Sequence, residues 1–223
     1  GAPAPVTVAA PAEAEAPGRI EALADFRFYD GEQWPIDIKA DRDSAGRPCL
    51  TINLLKASAK QVLNEQRQSR PAIQVNPVGD GADVDTAEII QGLIRHVEIN
   101  SQADVAYDTA FEHAVIGGFG FIRVLTQYCD EMSFDQECTI ERVIDPFTVY
   151  FDPSCQKADY SDAEFCFVVE DLTIDQYKAR YPKSQMAGLS EFRSTGDDEK
   201  LWYGQDHIRV AEYFRIETEE KTL

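Results

Sequence analysis

Four carboxylates gather within a short stretch at Asp152, Asp159, Asp162 and Glu164. Carboxylate oxygens are the hard ligands that Mg²⁺ or Mn²⁺ takes, so a metal-dependent hydrolase is one chemistry this segment could support. Their spacing matches no recognised metal motif. A second acidic run, Asp80, Asp83, Asp85 and Glu88, lacks the ligand spacing of an EF-hand and reads as a solvated loop leading into a helix N-terminus, where negative charge is favourable. With 40 Asp and Glu in 223 residues, neighbouring acids also arise by chance. Gly117-Gly118-Phe119-Gly120 is the most conspicuous glycine cluster. A phosphate cradle would need a Lys after the glycines and a strand before them. Neither is present, so the cluster reads as a helix stop and a tight turn requiring positive φ.

The remaining reactive side chains are scattered. His96, His113 and His207 sit far from any cysteine pair, and His113 has no second histidine at zinc-protease spacing. It reads as a partly buried structural residue. The five cysteines, Cys49, Cys129, Cys138, Cys155 and Cys166, are odd in number and widely spaced, which fits free thiols rather than a disulfide framework. No G-x-S-x-G nucleophile elbow occurs. No catalytic, cofactor-binding or metal residue is assigned on these patterns, and the chain is not expected to be an enzyme. Three residues stand out as candidates for contact between subunits. Arg67 and Arg70 either complement the C-terminal end of a helix or reach an acidic neighbour. Trp34, in the turn Asp30-Gly31-Glu32-Gln33-Trp34-Pro35, is either satellite core or an anchor on a partner.

The formal charge of −19 excludes a simple basic DNA-binding module, which replaces phosphate counterions with clustered Lys and Arg. It fits solubility, self-repulsion, or a surface that must not adhere to a nearby polyanion. No apolar run approaches the roughly 18 residues of a membrane span, and no signal peptide is visible.

The elements implied are of mixed type. Residues 1–18 form an Ala/Pro-rich leader, expected to be a flexible arm. Residues 19–118 read as mainly helical and 119–223 as mainly β. Helices are expected over 20–29, carrying Leu23, Phe26 and Phe28, and over 54–70, with Leu55, Ala59, Val62 and Gln66 on one face and Asn53 as N-cap. An edge strand is expected over 72–78. A helix capped by Asp85 or Thr86 should run to Asn100 with Ile90, Leu93, Ile94 and Val97 as its stripe. Another follows from Ser101 to Ile116, with Ala103, Ala106, Tyr107, Ala110, Phe111 and Ala114 inward. The two should form a bent pair or an antiparallel hairpin. Residues 119–129 and 134–144 read as a β-hairpin turning at 130–133, 148–151 and 164–170 as strands, and 208–217 as a last strand. Thr173 to Arg180 reads as a short helix, with Thr173 and Gln176 at capping-box spacing. Residues 183–206 read as loop. The fold class is α+β.

The order of segments carries more information than any one motif. FYDGEQWP (28–35), RPCLTINLLK (47–56), NEQRQSRPAIQVNPV (64–78), AEIIQGLIRHVEINSQADVAYDTAFEHAVIGGFGFIRV (87–124), ERVIDPFTVYFDPS (141–154) and SDAEFCFV (161–168) follow one another. This series resembles the N-terminal part of tailed-phage portal proteins of the large-winged type found in short-tailed phages. The resemblance covers roughly residues 25–217.

Its implications are structural. Portals of this kind are rings, usually of twelve copies, at one capsid vertex. Double-stranded DNA passes through without sequence-specific binding. A separate terminase drives packaging, and tail or adaptor proteins attach later. The major capsid protein surrounds the ring. The resemblance therefore implies a homo-oligomeric virion protein, assembled in the host cytoplasm and without membrane or cofactor. The mixed α/β wing is the part matched. Stem and clip are expected to lie outside this chain, which reads as a fragment. An adaptor or scaffold protein without a channel is the alternative, with the metal-dependent hydrolase behind it.

Overall fold

A computed structural model describes residues 17–78, 83–130, 132–157, 159–182 and 207–217. The leader before Pro17, Asp80 and the 183–206 loop lie outside them. The described elements are six helices and five strands, an α+β fold. They divide into two compact units, Arg19–Pro146 and one containing the described residues from Phe147 onward.

The first unit begins with α1 (Pro17–Asp30) and α2 (Ile36–Ser44). Helix α3 spans Leu55–Gln68, α4 Val84–Asn100 and α5 Ala103–Gly117. The hairpin β1 (Ile122–Tyr128) and β2 (Gln136–Arg142) completes it, in a register that places Leu125 opposite Thr139 and Arg123 opposite Glu141. Strand β2 packs against α4 and α5, and α3 packs on α5. Helices α4 and α5 pack on each other as the expected pair, joined at Gln102, whose φ of 51° is left-handed.

Several expected faces are rotated. In α1 the buried side is Ala22 and Tyr29 with Phe26 half-buried, while Leu23 and Phe28 are exposed. In α3 it is Ala59 and Leu63, with Lys56 and Gln66 beside them, while Leu55 and Val62 are exposed. In α4 Ala87 is buried and Ile94 and Val97 half-buried, whereas Ile90 and Leu93 face solvent. In α5 Ala114 is exposed, although Ala103 and Ala106 are buried as expected. On these helices alanines take most of the buried positions, and larger aliphatic residues are left outside. Six of the eleven buried apolar residues are alanines, and no large side chain is fully buried among the described residues.

Two further expectations are corrected. The N-cap of α4 is Asp83, whose carboxylate accepts the Asp85 N–H at 3.1 Å and the Thr86 hydroxyl at 2.8 Å. Residues 72–78 form no strand, because Pro71 and Pro77 remove ladder donors and no partner edge lies alongside among the described residues. Helix α2 was not expected, since its sequence has no apolar stripe and it buries no residue.

A 3₁₀ turn at Pro146–Thr148 spans the boundary, and the second unit holds a three-stranded antiparallel sheet. Its strands are β3 (Val149–Phe151), β4 (Phe165–Thr173) and β5 (His207–Arg215), with β4 central. Helix α6 (Ile174–Arg180) follows β4 directly, and Thr173 and Gln176 form the complete capping box. Phe167 and Tyr213 stack across neighbouring strands at 4.8 Å between ring centroids.

Candidate functional site

The acidic segment 152–164 is organised by its own backbone. Asp152, buried, accepts the Ser154 N–H at 2.8 Å, and that bond leads the effects holding its carboxyl below the ordinary range. Asp162 accepts the N–H of Gln156 at 2.8 Å, which likewise lowers its carboxyl, and a further bond comes from Lys157 N–H. Asp159 accepts the Ser161 N–H at 3.2 Å. Asp152 and Asp159 accept from the amide two residues on, as in Asx turns, and Asp162 closes the loop onto amides before it. No three His, Cys, Asp or Glu side chains converge in metal-ligand fashion among the described residues. The strand-forming residues on either side, Val149–Phe151 and Phe165–Thr173, need this loop to return the chain antiparallel, and the aspartates shape it.

The glycine cluster has three separate structural causes. Gly118 is the left-handed C-terminal residue of α5, with φ of 84°. A Cβ on Gly117 would meet the Phe26 ring at 2.4 Å, so the missing side chain lets α1 lie against α5. A Cβ on Gly120 would fall 1.9 Å from the Ala110 carbonyl oxygen, so the chain leaving α5 doubles back along the helix. His113, on the same helix, sits edge-on to Phe26 at 5.8 Å. Its Nδ1 is buried without a hydrogen-bond partner, and burial pushes its pKa below 6.5 despite Glu112 and Asp145. That agrees with a structural histidine. His96 instead meets Asn100 at 3.0 Å. The five cysteines are unpaired thiols.

The three contact candidates all have partners within the chain. Arg67 Nε donates to Asp108 at 2.9 Å, and Arg70 Nη2 donates to both oxygens of Asp108 at 3.1 Å. Arg70 also pairs with Asp104. The two arginines therefore tie the end of α3 to the first half of α5. Sequence spacing alone did not identify Asp104 and Asp108, which lie four apart on one side of α5 facing them. Trp34 is half-buried, donates through Nε1 to the Leu50 carbonyl at 3.3 Å, and carries the Arg42 guanidinium 5.0 Å above its ring. Arg42 donates to the Pro48 carbonyl at 2.9 Å.

Sequence reasoning missed what Trp34 and Asn53 build together. Asn53 donates to the Tyr29 carbonyl at 2.6 Å, while its Oδ1 accepts the Lys56 N–H and Gln33 Nε2, both at 3.2 Å. The Lys56 bond gives Asn53 the capping role expected of it, although Leu54 is the geometric N-cap. Residues 47–54 are thus pinned through the Pro48 and Leu50 carbonyls and the Asn53 side chain. Their apolar side chains point outward: Leu50, Ile52 and Leu54 are 78%, 81% and 74% exposed. The alternation of these residues in RPCLTINLL was the available signal, but alternation ordinarily means one buried face. The arrangement is a hydrogen-bonded support that presents apolar side chains to solvent.

No helix among the described residues is long and apolar enough to cross a membrane. The profile of the phage P22-like portal protein family matches residues 8–223. A portal protein of Acyrthosiphon pisum secondary endosymbiont phage 1 is 30% identical over 176 residues, which make up 77% of this chain and 24% of that relative. The chain thus spans 24% of the length of this curated relative.

Proposed function

Because this chain belongs to the phage P22-like portal protein family, we propose that it is the wing portion of a subunit in a portal ring at one vertex of a virion capsid. The ring would be a homo-oligomer, of twelve copies in this reading, assembled in the host cytoplasm. It would form the channel for genome packaging and ejection, with terminase, tail adaptors and the major capsid protein as its partners. The role is structural and needs no catalytic step. The family match over residues 8–223 is the observation that carries this reading.

Physical features agree with it. A wall beside moving DNA should not hold phosphates through clustered cations, and a chain of net charge −19 suits that requirement. A core built largely of alanines, with Ile and Leu side chains outside it, suits a protein that completes its burial against neighbours. In this reading Trp34, Arg67 and Arg70 act near a subunit boundary by bracing the surfaces that meet there.

The test is electron-microscope imaging with mass determination of the full-length protein. Rings with a central pore wide enough for duplex DNA are the expected result, and their mass gives the copy number. A protein that stays monomeric at high concentration across salt conditions would overturn the proposal.

A further inference from the structure

Charge is distributed unevenly along this acidic chain. Residues 44–79 carry five cations, Arg47, Lys56, Lys60, Arg67 and Arg70, against the single acid Glu65. That stretch is +4 in a chain of −19, so the remainder carries −23. Three of the cations have acidic partners in the chain: Lys56 with Asp30, Arg67 with Asp108, and Arg70 with Asp104 and Asp108. Arg47 and Lys60 are exposed. Between them lies the pinned segment with Leu50, Ile52 and Leu54 directed to solvent, and Leu55 and Val62 on α3 extend the apolar area.

A surface of opposite character occurs on the same unit. At the start of α4, Asp85, Ile89 and Leu93 follow at intervals of four and so share one side of the helix, with Glu88 next to them. Ile89 and Leu93 are 71% and 60% exposed, and Asp85 and Glu88 are exposed as well.

We propose that these two surfaces bind each other between copies: the basic apolar ledge of residues 47–62 in one copy seats the acidic apolar side of α4 in the next. The inference rests on the homo-oligomeric reading above and names the surfaces that make it. Charge selects the occupant. The ledge would repel its own image, and so would the acidic helix face, which disfavours a two-fold pair. Ledge against helix is attractive, and a head-to-tail contact of this kind builds a ring when the rotation between copies closes. Apolar residues flank the cations, which suits a protein surface better than a phosphate backbone. The hydrogen bonds from Trp34, Arg42 and Asn53 hold the ledge in place before a neighbour arrives, so little ordering entropy is lost on docking.

The experiment compares four forms of the full-length protein by sedimentation and mass measurement: wild type, Arg47→Glu/Lys60→Glu, Glu88→Lys, and the triple variant combining them. Thermal melting confirms that each is folded. We expect each charge reversal alone to weaken association at least tenfold at low salt, and the triple variant to recover most of the loss. Benzoylphenylalanine in place of Ile52 should photo-crosslink to a peptide containing residues 84–95 of a neighbouring copy, distinguished by isotope labelling. Rings from wild type that persist unchanged in both reversals, with crosslinks mapping elsewhere, would overturn this contact and leave the portal reading intact. Crosslinks to another virion protein, to DNA, or within the same polypeptide would overturn it in favour of that occupant. A wild-type protein that never assembles would overturn both proposals.

Discussion

At the scale of single residues, Gly117-Gly118-Phe119-Gly120 separates two causes that look alike in sequence. Gly118 needs only its positive φ, since the space around it is open. Gly118→Ala should therefore cost about 1 kcal/mol, the usual penalty for an L residue in left-handed geometry. At Gly120 the obstacle is the Ala110 carbonyl, a backbone atom that cannot swing aside. Gly120→Ala should cost about 3 kcal/mol, the upper range for overpacking. Denaturant unfolding of the two variants checks the ranking. His113 gives a pH signature in the same region. Its folded pKa lies below 6.5, so the unfolded chain binds the proton first and stability is lost as pH falls from neutrality through 6.5 and below. His113→Gln should flatten the stability profile between about pH 7 and pH 5. The lowered carboxyls of Asp83, Asp152 and Asp162 act separately. Their contribution is present above the ordinary 3.8 and is lost in more acid solution.

At the scale of elements, the link between α3 and α5 shows which ion pairs matter. The Asp108 side chain is 19% exposed and receives two guanidinium groups. Lys56 and Asp30 are 3.7 Å apart, with Asp30 largely in water and Lys56 partly so. Exposed pairs contribute about 0.2–1 kcal/mol each, so Asp108→Ala should lose roughly 1–2 kcal/mol and Asp30→Ala close to nothing. Urea denaturation of both variants measures the difference. The elements themselves were largely legible. The α4–α5 pair, the β1–β2 hairpin and the Thr173 capping box each declare themselves through local patterns of three to seven residues. The buried faces of α1, α3 and α4 were less so. Apolar periodicity assumes that large aliphatic side chains go inside, and here Ala22, Ala59 and Ala87 take the buried positions instead. Helix α2 could not be read at all, because it has no inward face. For the candidate docking surface, the residues were visible in RPCLTINLL. Their outward direction was not, since it depends on hydrogen bonds from Trp34 and Asn53 across distances in sequence of 16 and 24 residues.

At the scale of the whole molecule, the family was legible from the order of its segments, whereas chemistry-bearing motifs contributed little. Asp83 caps a helix, Asp152, Asp159 and Asp162 shape a loop, and His113 packs against Phe26. The connectivity of the first unit has a further consequence. Arg19–Pro146 is an unbroken stretch of chain, and its helix pair and hairpin join residues close in sequence. Units of that kind close their contacts quickly. During synthesis at about 5–20 residues per second, this unit precedes the second sheet in the chain and leaves the ribosome ahead of it. A ledge already pinned by Trp34 and Asn53 would then be presented while the rest of the polypeptide is still on the ribosome.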